Sequence, residues 1–151
     1  MKVYVSHDRG YDFLNKLYKP LQNSQLNIDH ELFLPHIDGK KGELTKDIIK
    51  KSDAVIAEVS YASTGQGIEL GWADSSNVPI ICIHQKNSEL SGALKYLTKT
   101  LIIYKDEKDM INKLTATLDK LNESPKSSSW QSGSARFTTV SEVELLTIII
   151  H

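Results

Sequence analysis

Asp53-Ala54-Val55-Ile56-Ala57-Glu58-Val59-Ser60-Tyr61-Ala62-Ser63-Thr64-Gly65-Gln66-Gly67-Ile68-Glu69-Leu70-Gly71-Trp72-Ala73 is the stretch whose reading decides the fold. Val55, Ile56 and Ala57 are too apolar for an exposed edge, so Asp53 to Val59 reads as a buried strand. Glu58, at the end of that run, marks where the strand is expected to leave the core. Ser63, Thr64, Gly65 and Gly67 then form a hydroxyl- and glycine-rich loop that lets backbone N–H groups approach an anion, next to a helix N-terminus of favourable partial charge. A helix is expected over Gly67 to Ser76, with Glu69 about one turn in. A glutamate there is ordinarily a first-turn residue favoured by the helix dipole. Two hydroxyl residues and two glycines just before it are more than a cap requires, and a carboxylate beside an anion site points to chemistry.

Working outward, strands and helices alternate. Lys2 to Ser6, with Val3, Tyr4 and Val5, is a short β-rich run. Tyr11 to Leu21 carries Phe13, Leu14, Leu17, Tyr18 and Leu21 at helical spacing, with Pro20 expected to stop or kink it. His30 to Leu34 reads as a second strand, closed by Pro35. Glu43 to Lys51 is expected to be a helix with Leu44, Ile48 and Ile49 inward. Pro79 to His84 is an apolar run suited to a strand covered on both faces. Ser88 to Leu97 is read as a helix and Leu101 to Tyr104 as a fifth strand. Lys108 to Leu121 is a closing amphipathic helix with Ile111, Leu114 and Leu118 on one face. This alternation predicts an α/β fold with a mostly parallel five-stranded sheet. Ligands of such sheets sit outside the carboxyl ends of the strands. Those ends are Ser6 to Arg9, His36 to Asp38, Glu58 to Gly67 and His84 to Lys86.

The chain has 151 residues, 40% hydrophobic and 25% charged, which suits one domain with a real core. That domain is read as residues 1–121. Residues 122–135 have the composition of a Ser-rich linker. Residues 136–151 form an apolar, β-branched tail whose role the sequence leaves open. A net charge of −1 argues against a generic electrostatic binder of nucleic acid polymers. No apolar stretch approaches the roughly 18 residues of a membrane helix. With no leader visible after Met1-Lys2, the cytoplasm is the expected compartment.

A single cysteine excludes an internal disulfide framework, and Cys82, inside an apolar run, reads as an inert buried thiol. Five histidines show no metal-ligand spacing, so a zinc site is rejected. Neither a Walker loop nor a dinucleotide fingerprint is present. Arg9 and Gly10 follow the first strand, and Arg is the usual bidentate partner of phosphate, although a lone surface Arg is more often only solvated. Ser63 and Thr64 are either turn and cap residues or donors to a phosphate or sugar oxygen. Tyr4 is either a core residue or a phenol aimed at the carboxylate.

The quoted stretch resembles the signature of the nucleoside 2-deoxyribosyltransferase family, which includes the 2′-deoxynucleoside 5′-phosphate N-hydrolases. The resemblance covers roughly residues 1–120. It implies a flavodoxin-like three-layer sandwich, a homodimer or larger homo-oligomer, a nucleoside or nucleotide as the small-molecule partner, and no metal or cofactor. By the resemblance, Glu69 attacks the anomeric carbon, Tyr4 holds its carboxylate, and Arg9-Gly10 with Ser63 bind a 5′-phosphate. Ser6, His7, Thr64, Gly65 and Gly67 complete the expected substrate-binding set. The family carries an Asp one helix earlier that assists the leaving base. In this chain that counted position holds Thr45, and Asp47, the remaining candidate, lies two residues on and about 200° round the helix.

A weaker similarity links Ser6-His7-Asp8, before Tyr11-Asp12-Phe13-Leu14, to the opening of TIR domains, some of which cleave NAD with a glutamate. A nucleotide-binding or regulatory module without turnover is the further alternative.

Overall fold

Five strands line up in one sheet in the order β2-β1-β3-β4-β5, and every pairing is parallel. They are β1 (Lys2–His7), β2 (Glu31–Phe33), β3 (Ala54–Glu58), β4 (Ile80–Gln85) and β5 (Thr100–Tyr104). Among the described residues, seven α-helices accompany them: α1 (Lys19–Gln22), α2 (Leu26–Asp29), α3 (Pro35–Asp38), α4 (Thr45–Lys50), α5 (Thr64–Ser75), α6 (Leu94–Leu97) and, after the last strand, α7 (Glu107–Glu123). This computed structural model describes residues 1–39 and 42–124. The expected apolar tail, and the linker from residue 125 onward, lie outside the described residues. Asn122 and Glu123, assigned to the linker from composition, are instead the last two residues of α7.

The alternation of each strand divides the core in two. Val3, Val5, Ile56, Ile81 and Ile83 point to one face, where Leu17, Tyr18 and Leu21 of the first helical segment meet Met110, Leu114 and Leu118 of α7. Tyr4, Val55, Ala57 and Cys82 point to the other, under Ile49 of α4 and Leu70 and Ala73 of α5. The all-parallel sheet with helices on both faces is the α/β, flavodoxin-like sandwich that the sequence predicts. The core strands are short apolar runs because both of their faces are covered. β5, an edge strand, alternates instead, with Leu101 and Ile103 about half exposed.

The helix expected over Tyr11 to Leu21 begins as a π turn, Leu14–Tyr18, in which the Lys19 N–H reaches back to the Leu14 carbonyl. Pro20, which has no N–H to give, follows at once and does not stop the helix, since it sits in the first turn of α1. The wide turn carries Leu17 and Tyr18 inward and leaves Leu14 49% exposed.

Other boundaries differ too. α4 begins at Thr45, so Leu44, expected inward, is its N-cap and 68% exposed. Only Leu94–Leu97 of the Ser88 to Leu97 segment is helical. α5 opens three residues earlier than expected, because Ser63 is its N-cap and its hydroxyl accepts from the Gln66 N–H. Replacing Leu114, fully buried between α7 and the sheet, by Ala is expected to lower unfolding free energy by about 2–5 kcal/mol. Leu44→Ala is expected to change it by less than about 0.5 kcal/mol, both read from urea denaturation.

Candidate active site

Glu69 is reached from the sheet by two hydroxyls. Tyr4 Oη donates to its Oε1 at 3.0 Å and Ser6 Oγ donates to Oε2 at 2.6 Å. Tyr4 and Ser6 alternate onto one face of β1, the face that α5 crosses, so strand periodicity places both donors under one helical residue. Both are fully or almost fully buried, and Glu69 is half-buried. Burial pushes the Glu69 carboxyl above the ordinary glutamate range, while the hydrogen bonds from Ser6 and Tyr4 and the charge of Arg9 pull against it. The Tyr4 phenol is driven up in turn, by burial first and by the Glu69 charge second, so it stays a donor. With the N-cap at Ser63, Glu69 sits in the second turn of α5. That is too far along for the dipole to be its main reason for being there.

The carboxylate opens into a cavity of about 420 Å³ at the carboxyl end of β1. Tyr4, His7, Asp8, Arg9, Ser63 and Gly65 line it, as do Pro35, His36, Thr45 and Gln66. Of the expected site residues, Tyr4, His7, Arg9, Ser63, Gly65 and Glu69 are therefore brought together. The others are not. Ser6 is spent on Glu69 and is a support for the carboxylate, not part of the cavity wall. Thr64 and Gly67 face a neighbouring, more apolar hollow of about 450 Å³, bounded by Leu70, Leu94 and Leu97. Gly10 is off the wall; its N–H is capped by Asp8 Oδ1, and a Cβ there would collide with that oxygen at 2.6 Å. Asp47 is exposed and does not line the cavity. Thr45, at the start of α4, faces it, as the helical rotation between the two positions requires.

His7 lines the cavity but is held tightly. Its Nδ1 donates to the Asp8 carbonyl at 2.7 Å, which leaves Nε2 to accept from the Tyr18 hydroxyl at 2.8 Å. Burial lowers its pKa, so this single tautomer is the resting form. The Tyr18 oxygen also accepts from the His36 backbone N–H at 3.4 Å. His36 stands on the cavity rim with its ring 5.0 Å from that of Phe13 and 5.1 Å from that of His7. The sequence offered His36 as a strand-end residue only; its place on the wall comes from the short helix α3, which Pro35 starts.

Glu58 was misread. It does not leave the core: it is fully buried at the carboxyl end of β3. Its carboxylate accepts from the Ser60 hydroxyl and backbone N–H and, at 3.0 Å, from the Tyr104 hydroxyl. Its carbonyl accepts from Gln66 Nε2 at 2.7 Å, tying β3 to the first turn of α5. Nothing local signals this, because Tyr104 arrives from β5 at the far edge of the sheet. Among the described residues, no group of three or more His, Cys, Asp or Glu could hold a metal ion. Burial pushes the Cys82 thiol up to about 11, in keeping with an inert residue.

A protein of Methanococcoides burtonii provisionally named 2′-deoxynucleoside 5′-phosphate N-hydrolase 1 is 30% identical over 108 residues, which span 62% of this chain and 88% of that one. The chain belongs to the nucleoside 2-deoxyribosyltransferase family. A second protein of the same name, from Methanosarcina mazei, is 40% identical over 45 residues, 30% of this chain and 28% of its own. Two solved structures share the fold. The CMP N-glycosidase of Clostridium botulinum superposes with a TM-score of 0.57 at 23% identity, covering 76% of this chain and 99% of its own. The 2-deoxyribosyltransferase of Bacillus psychrosaccharolyticus gives 0.54 at 19%, covering 78% and 96%. No family model matches the chain.

The buried Glu58 gives this family member a pH signature in stability. Burial raises its carboxyl above the ordinary value of 4.5. A group raised on folding stabilises the fold below its unfolded pKa and loses that contribution as pH climbs through the folded one. Glu58→Gln is therefore expected to gain stability relative to the parent as pH rises above about 4.5. Chemical unfolding at a series of pH values should show the two curves converging in acid.

Proposed function

We propose that the protein breaks the N-glycosidic bond of a nucleoside 5′-monophosphate, with Glu69 as nucleophile. The observation that carries this is the pair of hydroxyls, Tyr4 and Ser6, that hold both oxygens of one half-buried carboxylate on the wall of a cavity. A clamped carboxylate suits an oxocarbenium-like transition state, because negative charge fixed beside the anomeric carbon stabilises positive charge developing there. Attack by one Glu69 oxygen gives a glycosyl ester, which water or a second base then opens. Arg9 and Ser63, on the same wall, are suited to the 5′-phosphate, so that the sugar is positioned from its far end. The M. burtonii relative, named for hydrolysis of deoxynucleoside 5′-phosphates, supports the monophosphate over the free nucleoside. The working unit in this reading is a cytoplasmic homo-oligomer.

Thr45 favours a second reading, a nucleotide-binding module without turnover, since the helix that would bring an acid to the leaving base brings a hydroxyl. Free-base release decides between them. Glu69→Ala is expected to lose base release from deoxynucleoside monophosphates by about 10³-fold or more, roughly 4 kcal/mol of barrier, while still binding nucleotide in a thermal-shift assay. Binding by the unsubstituted protein with no base released would establish the module instead. Arg9→Ala is expected to raise KM for the monophosphate about 10- to 100-fold and to leave the free nucleoside nearly unaffected. Because Glu69 must be ionised to attack and its carboxyl is raised, activity is expected to fall on acidification from a pH above 4.5.

A further inference from the structure

If Glu69 attacks carbon, the departing base needs a proton, and the cavity wall shows which group can bring it. Tyr4 gives its hydroxyl proton to Glu69. Both ring nitrogens of His7 are committed, to the Asp8 carbonyl and the Tyr18 hydroxyl. Asp8 turns Oδ1 to the Gly10 N–H. Arg9 does not release a proton in the working range. Thr45 offers an alcohol, which is no acid in water. His36 differs from all of these. Its backbone N–H is anchored on Tyr18, and its ring lies against Phe13 and His7 through faces and edges, with no hydrogen bond to either nitrogen among the described residues. The imidazole therefore stands on the rim with its proton-carrying atoms uncommitted, on the α3 side of the cavity, where Pro35 also lines the wall.

We propose that His36 is the proton carrier of this reaction: as imidazolium it donates to a ring nitrogen of the departing base, and as imidazole it accepts a proton from the water that opens the ester. This rests on the reading of Glu69 as nucleophile. In the first half the C1′–N bond breaks and its electron pair goes to the base nitrogen, which takes the His36 proton, while a Glu69 oxygen bonds to C1′. In the second half the water oxygen bonds to C1′, the ester C1′–O bond breaks with its pair returning to Glu69, and the water proton passes to His36. The cycle closes with both side chains restored and needs no further reactant. Thr45 and His36 thus divide the wall differently from a site in which one α4 carboxylate serves the base.

The titratable and charged groups around His36 are Arg9, Asp8, His7 and Glu69 on the same cavity wall, Tyr18 under its backbone, and Asp38 on its own helix. Asp38 is turned back onto the Leu34 N–H at 2.7 Å. Burial, and then Arg9, lowers the His36 pKa from 6.5, and Glu69 is raised from 4.5. The two shifts bring the titrations toward one another and so narrow the pH range in which Glu69 is ionised while His36 is protonated.

The test compares leaving groups. Single-turnover release of base is followed from deoxyguanosine monophosphate and from its N7-methyl derivative, whose cationic base departs without being protonated. His36→Gln is expected to slow the ordinary substrate about 10²-fold and the methylated one by less than about threefold, and to abolish the basic limb of the kcat/KM profile. Asp8→Asn is expected to keep that limb. Equal slowing of both substrates by His36→Gln, a surviving basic limb, or transfer of the leaving-group effect to Asp8→Asn would overturn the assignment. An unsubstituted protein that releases no base from either substrate would overturn the Glu69 reading along with it. Full activity in His36→Gln would overturn this one alone.

Discussion

One contact holds the two halves of the site together: the hydrogen bonds that Tyr4 and Ser6 send up from β1 to Glu69 of α5. They require that β1 sit beside β3 in a fixed register, Tyr4 opposite Val55 and Ser6 opposite Ala57, so that the helix launched from the end of β3 crosses back over β1. A slip of one residue would turn both hydroxyls to the opposite face of the sheet. The apolar pattern of β1 prevents it, because Val3 and Val5 are needed under the first helical segment and α7. The hydrophobic core thereby determines where the carboxylate is held, although it touches none of its oxygens.

A second ionisable group, Glu58, is kept dry on the opposite face of the sheet. The two glutamates do different things with similar environments. Glu69 is held by two donors and left facing a cavity, open to whatever enters it. Glu58 is enclosed by Ser60 and Tyr104 and joined through its backbone to Gln66, so it ties the ends of β3 and β5 to the start of α5. Burial costs the fold something at both positions. At Glu58 that cost buys order in the loop from which Ser63 caps the helix that carries Glu69.

Much of this was legible in the chain itself. The apolar run Val55 to Ala57 and the glycines after it announce a buried strand, a loop and a helix, and strand–helix alternation then fixes the parallel sheet. Glu69 and Tyr4 could be named together because the loop chemistry around the one and the strand position of the other match a known signature. What resisted reading was whatever depends on distant partners or on helical phase. Glu58 looks like a strand exit until Tyr104 is brought beside it from β5. Thr45 holds the counted position and Asp47 the carboxylate, and which of the two faces the cavity is open until the first residue of α4 is known. Ser6 looks like a ligand contact until α5 is placed above it. Leu44 looks like core because it is apolar, yet the helix it was assigned to starts one residue later.

The π turn at Leu14–Tyr18 has a consequence for how tolerant this chain is to length changes. Such a turn holds one residue more than an α-helical path between the same ends. Deleting one residue within that turn would let the segment relax to ordinary winding with both of its ends kept, whereas adding one more would turn Tyr18 about 100° around the axis. His7 would then lose the hydroxyl that fixes its tautomer, and α3 would lose the anchor beneath His36. A one-residue insertion in this segment would thus unfasten two walls of the cavity at once.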